Sequence, residues 1–576
     1  MTKAIENLIL KYALQNAVFY NGKADPGAVL GKVMAEQPRL RKRVMDVRKE
    51  IAEAVRQVNS VSPEQQKVWL ESLAPKLLVK KETKAKEGLP ELPGAKQGRV
   101  VTRFAPSPTG PLNISHVLRA VMVNYIYAKK YKGKFILRLE DTDASKVSKE
   151  YYDMIREDLA SLGVKPNLTV IQSHRMERYY LYAARLIRKG KIFACSCPAE
   201  RFRKLSKSKR ACPHQRAKPR ENMKAWKDAL AGKYREGEVV FRFKTSMKEP
   251  NPALRNPAVF RISGEKHPLM GARYKVWPLY NYANVVDDHE LGVTHVFRGK
   301  EHEHNTAVQK RIYAALGWKP PLALNFGMIY MPGEKIHTRD IKEMIREKKV
   351  SGWDDPKLHT VRALLRRGFL PDMFRQLAEN TGLSKNDIRL GWENIEGINR
   401  KLIDPAANRY MVVAEPVRIS MRSSPALKRA EELLHPDFPE RGKKKIPVNP
   451  GSIWISGDDF KGLNDKVFRL KGLGNIHLRG KEGYYTGNEI ERDMQKIQWV
   501  SEPNVRVKIV TPEKTIGGLG EPNLARLKPG DLIQMERLGF GRVDRVEMKK
   551  EGATGAGRRS RRLQSKIEVT IFFAHK

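Results

Sequence analysis

Arg103-Phe-Ala-Pro-Ser-Pro-Thr-Gly-Pro-Leu-Asn-Ile-Ser-His116 opens on a strand, turns through a Pro/Gly loop and enters a helix. Val100 to Phe104 is a β-rich run, and Pro106, Pro108, Gly110 and Pro111 punctuate the turn. Apolar residues then recur at Val117, Leu118, Val121, Met122, Tyr125 and Ile126, a spacing that predicts a helix from Ile114 to Tyr127. Phe135 to Leu139 predicts a second strand. Strand, helix and strand of this length make a right-handed βαβ crossover, which points the helix N-terminus and its unpaired N–H groups at a ligand above the strand ends. That is an anion-binding geometry.

Composition points to a polyanionic partner. Lys plus Arg number 110 against 64 for Asp plus Glu, a net charge of +46 in 576 residues. Such an excess favours nucleic acid through counterion release, although a merely solvated basic surface has the same count. The length implies several domains, each able to bury its own core. No run of eighteen apolar residues occurs, and Met-Thr-Lys-Ala-Ile-Glu6 lacks the apolar core of a secretion signal, so a cytoplasmic protein without a membrane span is expected.

Three cysteines are too few for a disulfide framework, and their spacing says more. Cys195-Ser-Cys197 and Cys212-Pro-His214 form two close pairs that use every cysteine in the chain. Four N/S ligands suit a closed, tetrahedral, structural Zn2+ site. The alternative is a set of buried thiols beside an unrelated loop histidine.

Five regions can be separated. Residues 1–80 are expected to be helical, with Ile5, Leu8, Ile9, Tyr12, Ala13 and Ala17 on one apolar stripe and Ser62-Pro-Glu-Gln65 as a capping box, forming a domain apart from the catalytic one. Residues 81–98 are charged and Pro/Gly-bearing, a linker. Residues 99–335 alternate strand and helix around a mixed insertion at about 195–275, which suits a doubly wound parallel sheet (Rossmann-like) with an inserted lobe. Residues 336–405 are read as helical, from the capping signal Ser384-Lys-Asn-Asp387 and the stop at Asp404-Pro405. Residues 406–576 carry short strands between Gly/Pro turns, which suggests β-barrels. The fold class is therefore multidomain α/β.

The opening stretch resembles the class I aminoacyl-tRNA synthetases of the glutamyl and glutaminyl group, which begin with Arg-Phe-x-Pro-x-Pro-x-Gly and a His-Ile-Gly-His type tetrapeptide. Here that tetrapeptide is Asn113-Ile-Ser-His116. The resemblance continues through Arg138-Leu-Glu-Asp-Thr-Asp143, Tyr280-Asn-Tyr-Ala-Asn-Val-Val-Asp-Asp-His289, Gly292-Val-Thr-His-Val-Phe-Arg-Gly-Lys-Glu301 and Ser351-Gly-Trp-Asp-Asp-Pro356. Lys11-Tyr-Ala-Leu-Gln-Asn-Ala17, Asn21-Gly-Lys-Ala-Asp-Pro26 and the β-rich C-terminal third, including Gly530 to Phe540, resemble the archaeal and eukaryotic glutamyl-tRNA synthetase branch. Some glutamyl enzymes carry a comparable zinc site in the inserted lobe. The resemblance implies ATP and Mg2+, L-glutamate, tRNA(Glu) with tRNA(Gln) as a further candidate, barrels that read the anticodon, and a monomer.

Residue by residue, the resemblance makes Arg103 the reader of the γ-carboxylate, with Arg298 in support. Glu140 holds the α-amino group, and Ser107, Tyr280 and Asn284 are polar pocket positions. A planar guanidinium suits the first role because it offers a carboxylate two parallel donors. Thr109, Gly110, Asn113, Ser115, His116 and Glu301 fall at ATP-binding positions. Ser115 stands where the family has a glycine that lets adenine lie on the backbone. The second signature, of the Lys-Met-Ser-Lys-Ser type, is reduced to Lys335-Ile-His-Thr-Arg339, so Lys335 and Arg339, with Lys342 nearby, are the candidate cations for the leaving pyrophosphate, and Asn113 and His116 complete the catalytic set.

Three functions fit. The first is an active glutamate–tRNA ligase working through glutamyl-adenylate. The second is a synthetase-derived tRNA-binding protein that has lost activation with its signatures. The third is a glutaminyl enzyme, against which Arg103 and Arg298 argue, because a buried arginine facing an amide loses most of its interaction.

Overall fold

The computed structural model describes residues 3–20, 22–78, 88–331, 338–425, 428–490, 494–550 and 565–576, in two compact units, Met1–Glu87 and Gly88–Lys576. The first unit holds the helices Lys3–Phe19, Pro26–Glu36, Val44–Asn59 and Pro63–Leu73. Leu8, Ile9, Ala13 and Ala17 of the expected stripe are buried, with Ile5 and Tyr12 at its edge. Ser62 caps the fourth helix by accepting the Gln65 N–H at 3.3 Å, with Pro63 in the first helical position. Asn21 lies outside the described residues.

Of the expected linker, 81–87 also lies outside them. From Leu89 onward the chain is packed, because Leu89 and Leu92 bury against Val100, Tyr127, Tyr131 and Phe297.

Strand β1 (Val101–Phe104) pairs in parallel with β2 (Lys134–Leu139), and β2 with β3 (Leu168–Ile171). The helix between β1 and β2 runs over 114–130 and widens to π-helical turns at Val117–Met122. Its return to β2 needs a glycine, since a Cβ on Gly133 would lie 2.0 Å from the Val100 carbonyl oxygen.

The inserted lobe is a four-stranded antiparallel sheet, β4 (Ile192–Cys195), β5 (Val240–Phe243), β6 (Ala258–Ile262) and β7 (Val276–Pro278) in that order. Trp226, on the helix Pro219–Leu230, anchors it edge-on to Phe241 and Phe260, each 4.9 Å between ring centres. The chain then re-enters the parallel layer through the helix Tyr280–Glu290 into β8 (His295–Gly299), which pairs in parallel with β9 (Leu322–Phe326). Thr294 ties this pair to β1, donating its N–H to the Val101 carbonyl at 3.0 Å and accepting the Val101 N–H at 2.9 Å. The layer therefore reads β9-β8-β1-β2-β3. Its switch point lies between β1 and β8, where a crevice opens at the carboxyl ends of the strands.

Helices Thr338–Arg346, Val361–Arg367, Pro371–Thr381 and Trp392–Ile403 follow, the last ending at Asp404-Pro405 as expected. The helix start expected at Ser384-Lys-Asn-Asp387 is not one. Asp387 accepts the Met328 N–H and pairs with Lys300, both at 2.8 Å, which seats Ile388–Arg389 as a short strand parallel to Ile329–Tyr330.

The C-terminal third contains two seven-stranded sheets with separate cores. One is built from 408–414 and 505–575 and the other from 416–501, so the second is inserted into the first. The first is fixed to the helical segment by Arg366 to Asp544 at 2.8 Å and by Arg367 to the Phe573 and Ala574 carbonyls.

Candidate active site

The switch-point crevice is a cavity of about 510 Å³. Arg103 reaches it from the end of β1 and Arg298 from the end of β8, with Ser107, Thr109, Gly110, Ser115, His116, Tyr280 and Glu301 also on its wall. A larger cleft, about 610 Å³, lies between residues 351–366 and the first C-terminal sheet, but its charges are engaged with one another, Arg366 with Asp544 and Lys549 with Glu568.

Under the cavity floor lies a buried charge network. Arg138, on β2 and fully buried, donates to Asp288 at 2.6 Å, to Glu140 at 3.0 Å and to Asn284. Arg103, 5% exposed, shares Asp288 through Nε at 3.3 Å. Burial alone would keep Asp288 protonated, but Arg138 and Arg103 bring its pKa below the usual range. For Glu140 burial outweighs the same two arginines and its pKa is raised. Asp287, 3.9 Å from Arg138 Nε and itself paired with Arg175, is a third carboxylate of this network, so Arg103, Arg138 and Arg298 stand beside Glu140, Asp287 and Asp288. Among the described residues, Arg298 is the one of these three arginines without an ion pair. It is 8% exposed, its Nη2 donates to Gln309 at 2.8 Å, the Tyr280 hydroxyl lies beside it, and its Nε and Nη1 are buried with no acceptor in hydrogen-bond geometry among the described residues.

At the start of the helix 114–130, Asn113 is the N-cap, accepting the His116 N–H at 2.9 Å, and it faces a smaller space beside Trp353 and Thr360. The His116 ring has accessible surface, but that surface faces the cavity, where burial lowers its pKa and keeps it neutral. Gly110 admits the second signature region, since a Cβ there would lie 2.5 Å from Thr338 Cγ2. Lys335 lies outside the described residues. Arg339 is not brought into the cavity. Its side chain is 84% exposed and pairs with Asp340 at 3.1 Å, while Thr338 supplies the wall. Lys342 instead sits 4.6 Å over the Tyr151 ring.

The geometry adds residues to which the sequence assigned no role. Arg138 and Asp288 organise the pocket, and both lie inside motifs singled out above, although nothing local separates a hub from a surface ion pair. Asp158, 1% exposed, accepts the Leu112 N–H at 2.8 Å and pairs with Arg362 Nε at 2.7 Å, which pins the signature loop.

In the lobe, one ligand atom from each of Cys195, Cys197, Cys212 and His214 lies within 4.8 Å of the others. The Cys195 and Cys212 sulfurs are 3.9 Å apart, and Cys197 Sγ is 3.4 Å from His214 Nδ1. A zinc–sulfur bond of about 2.3 Å gives a tetrahedral edge of roughly 3.8 Å, so the set fits. Ser196 Oγ lies 2.9 Å from His214 Nε2 and orients the ring, the usual outer partner of a ligating histidine.

Residues 99–405 match the family model described as tRNA synthetases class I (E and Q), catalytic domain, and residues 407–497 and 496–544 match two models of the anti-codon binding domain of the same group. Over 562 residues the chain is 43% identical to a glutamate--tRNA ligase of Pyrococcus furiosus, covering 94% of this chain and 98% of that one. Ligases of the same name from Methanothermobacter marburgensis and Methanopyrus kandleri are 42% and 38% identical, each covering 94% of this chain and 97% of its own. A solved glutamate tRNA ligase of Elizabethkingia meningosepticum overlaps at a TM-score of 0.39 and 19% identity, over 54% of this chain and 70% of that one, too loosely to carry argument. Matched end to end across its catalytic and C-terminal parts, the chain belongs to the class I tRNA synthetases of the glutamate and glutamine (E and Q) family.

Proposed function

We propose that this chain attaches L-glutamate to tRNA(Glu), with the cavity between β1 and β8 binding glutamate and ATP. The observation that carries the substrate assignment is Arg298, a buried guanidinium with two unsatisfied donors beside Arg103. Leaving such donors unmet costs free energy that a carboxylate of the substrate recovers. A γ-amide recovers less of it, because it offers one neutral acceptor oxygen and turns an NH2 donor toward the cation, so the pocket favours glutamate over glutamine. The glutaminyl and non-catalytic alternatives have no observation in their favour. The test is tRNA charging by the purified chain with each amino acid in turn, in which glutamate alone should be attached.

The reaction joins an oxygen of the glutamate α-carboxylate to the α-phosphorus of ATP, while the bond from that phosphorus to the oxygen bridging to the β-phosphate breaks and pyrophosphate leaves. A ribose hydroxyl at the tRNA 3′ end then attacks the activated carbonyl and displaces AMP. The carboxylate is already a nucleophile, so the first step needs positioning and charge stabilisation and no base. Arg103 and Arg298 hold the side chain, and Glu140 and the Tyr280 hydroxyl are placed for the ammonium end. The N–H groups at the start of the helix 114–130 and neutral His116 face the phosphates. Mg2+ supplies charge neutralisation to the triphosphate. Glu301 is the one carboxylate among the described wall residues, so the ion would be carried chiefly on phosphate oxygens, as is usual for nucleotide-bound Mg2+. Lys335 and Arg339 remain the candidate cations for pyrophosphate, and the outward Arg339 would have to leave Asp340 to reach it.

Zn2+ in the Cys195, Cys197, Cys212 and His214 set would brace the inserted lobe without chemistry, since four protein ligands leave no open position. The C-terminal sheets are the surface for the tRNA anticodon, and the net charge of +46 supplies the phosphate attraction. No helix among the described residues is long and apolar enough to cross a membrane.

A further inference from the structure

Arg119 is a second buried cation without a counter-ion. It lies on the π-helical turns Val117–Met122 and is 3% exposed. Its Nη1 donates to the Gly382 carbonyl at 3.0 Å and, more distantly, to that of Ser384 at 3.5 Å. Nε and Nη2 are buried with no acceptor, and no carboxylate pairs with the group among the described residues. Burial lowers its pKa, with no anion offsetting the effect. A guanidinium held this way is a standing cost unless a ligand completes it. π-helical turns are themselves frequent at functional sites.

Its position says which part of the ligand. Arg119 lines the same cavity as Ser115 and His116, but at the end closed by Phe326, Gly327 and Met328. It lies six residues beyond Asn113, about 9 Å along the helix from the N-terminal N–H groups where phosphates bind. Its cationic carbon sits 5.3 Å from the Phe326 ring centre. The neighbouring Gly327 donates its N–H to the Ser384 carbonyl at 2.8 Å, and a Cβ on it would lie 2.0 Å from the Asn386 carbonyl oxygen, so this wall is aromatic ring and bare backbone. A ring beside bare backbone suits a flat heteroaromatic face and gives a phosphate nothing.

We propose that Arg119 reads the adenine base of ATP, its guanidinium turning from its buried seat at the cavity wall to donate to one of the ring nitrogens, and so acts as a nucleotide-specificity residue beside the altered first signature. The inference rests on the reading of this cavity as the ATP site. Adenine offers N1, N3 and N7 as acceptors, and replacing any one of them by carbon removes one acceptor while preserving shape.

The experiment is steady-state charging of tRNA by the full chain with ATP and with its 1-deaza, 3-deaza and 7-deaza analogues, for the native protein, Arg119→Met and Arg119→Lys. In the native protein one analogue should raise the nucleotide KM about tenfold or more, the size of a lost charge-assisted bond. That penalty should vanish in Arg119→Met, whose KM for ATP is raised by a similar factor, and should return in part in Arg119→Lys. A purely structural role, holding the Gly382 and Ser384 carbonyls, would change KM without erasing discrimination among the analogues. Native protein indifferent to all three analogues overturns the proposal with no variant needed, and so does Arg119→Met that keeps the native pattern. If Arg119→Met does not fold, Arg119→Lys makes the same comparison, and an unaltered penalty there overturns the proposal. Failure of the native chain to charge tRNA with ATP at all would instead overturn the underlying reading of the site.

Discussion

Arg298→Met separates the cost of the pocket from its use. In the ligand-free chain the substitution removes one bond, to Gln309 at 2.8 Å, worth about 1–3 kcal/mol, and also removes two buried donors without acceptors, each costing about 1–3 kcal/mol. The balance runs from about 1 kcal/mol against the variant to about 5 kcal/mol in its favour, with a midpoint of about 2 kcal/mol in favour, so its melting temperature should hold or rise. Catalysis should move the other way. Two charge-assisted bonds to the substrate carboxylate at roughly 1.5–3 kcal/mol each correspond to a loss of about 10²–10⁴ in kcat/KM for glutamate. Calorimetry without substrates and tRNA charging over a glutamate series measure the two halves. Arg138→Met is the opposite control, because it strands Asp288 and Glu140 and should destabilise by about 3–5 kcal/mol. A drop of several degrees in Arg298→Met together with near-native kcat/KM would refute the assignment of Arg298 as a substrate-completed cation.

Burial raises the Asp158 pKa from 3.8 to about 6. A raised folded value means that its contribution favours the fold below about pH 3.8 and is lost as pH climbs to about 6, roughly 3 kcal/mol in all. Asp158→Asn should therefore flatten the stability profile across that window in denaturant titrations, and a profile parallel to the native one counts against this. Metal analysis should find about one zinc per chain, and Cys212→Ser should lose it and loosen the lobe, whereas a metal-free native protein with an intact lobe would remove the site. Val412 and Val505 both pair with Gly520, but 412–414 runs on to face Gly518, so the ends left by excising 416–503 are offset by about four residues along the strands as well as by two strand spacings, roughly 16 Å, which about eight Gly/Ser residues span. The shortened chain should fold and still charge tRNA(Glu), but with weakened preference over tRNAs bearing other anticodons, and undiminished preference would exclude the second sheet from anticodon reading.

How far the sequence could be read depended on range. The βαβ opening and the cysteine pairs are local patterns, and both appear in the structure where the spacing put them. The strands of the C-terminal third were also visible singly, but not their grouping, since 408–414 joins 505–575 across the ninety residues 415–504, which build another sheet. Ser384-Lys-Asn-Asp387 has the residues of a helix cap, and the pairing that overrides it comes from Met328 and Lys300, about 60 and 90 positions away. In the site, Arg103 and Arg298 could be placed from their strand ends. The hub role of Arg138 and the outward turn of Arg339 follow from burial, and a linear pattern carries no burial.

Arg138-Leu-Glu-Asp-Thr-Asp143 shows what this means for chemistry. Three carboxylates within four residues beside a substrate pocket invite a metal or acid–base reading from sequence. In the fold they divide between two tasks. Glu140 accepts from Arg138 at 3.0 Å in the network under the cavity floor. Asp141, fully buried, accepts from the Tyr152 hydroxyl at 2.8 Å and from Ser173 N–H and Oγ at 2.8 and 2.7 Å, while its own carbonyl meets His267 Nε2 of the inserted lobe at 2.8 Å. Asp143 pairs with Arg261 on β6 of that lobe at 2.6 Å, and Lys146 and Ser145 help hold its pKa near 2 against burial. The acids that dock the lobe are therefore occupied by protein partners and withdrawn from the substrate. The arginines at the cavity, by contrast, are left short of acceptors. The cavity proposed to receive an amino-acid carboxylate and a triphosphate thus has Asp141 and Asp143 engaged by protein partners, and the same six residues join the network under it to the lobe.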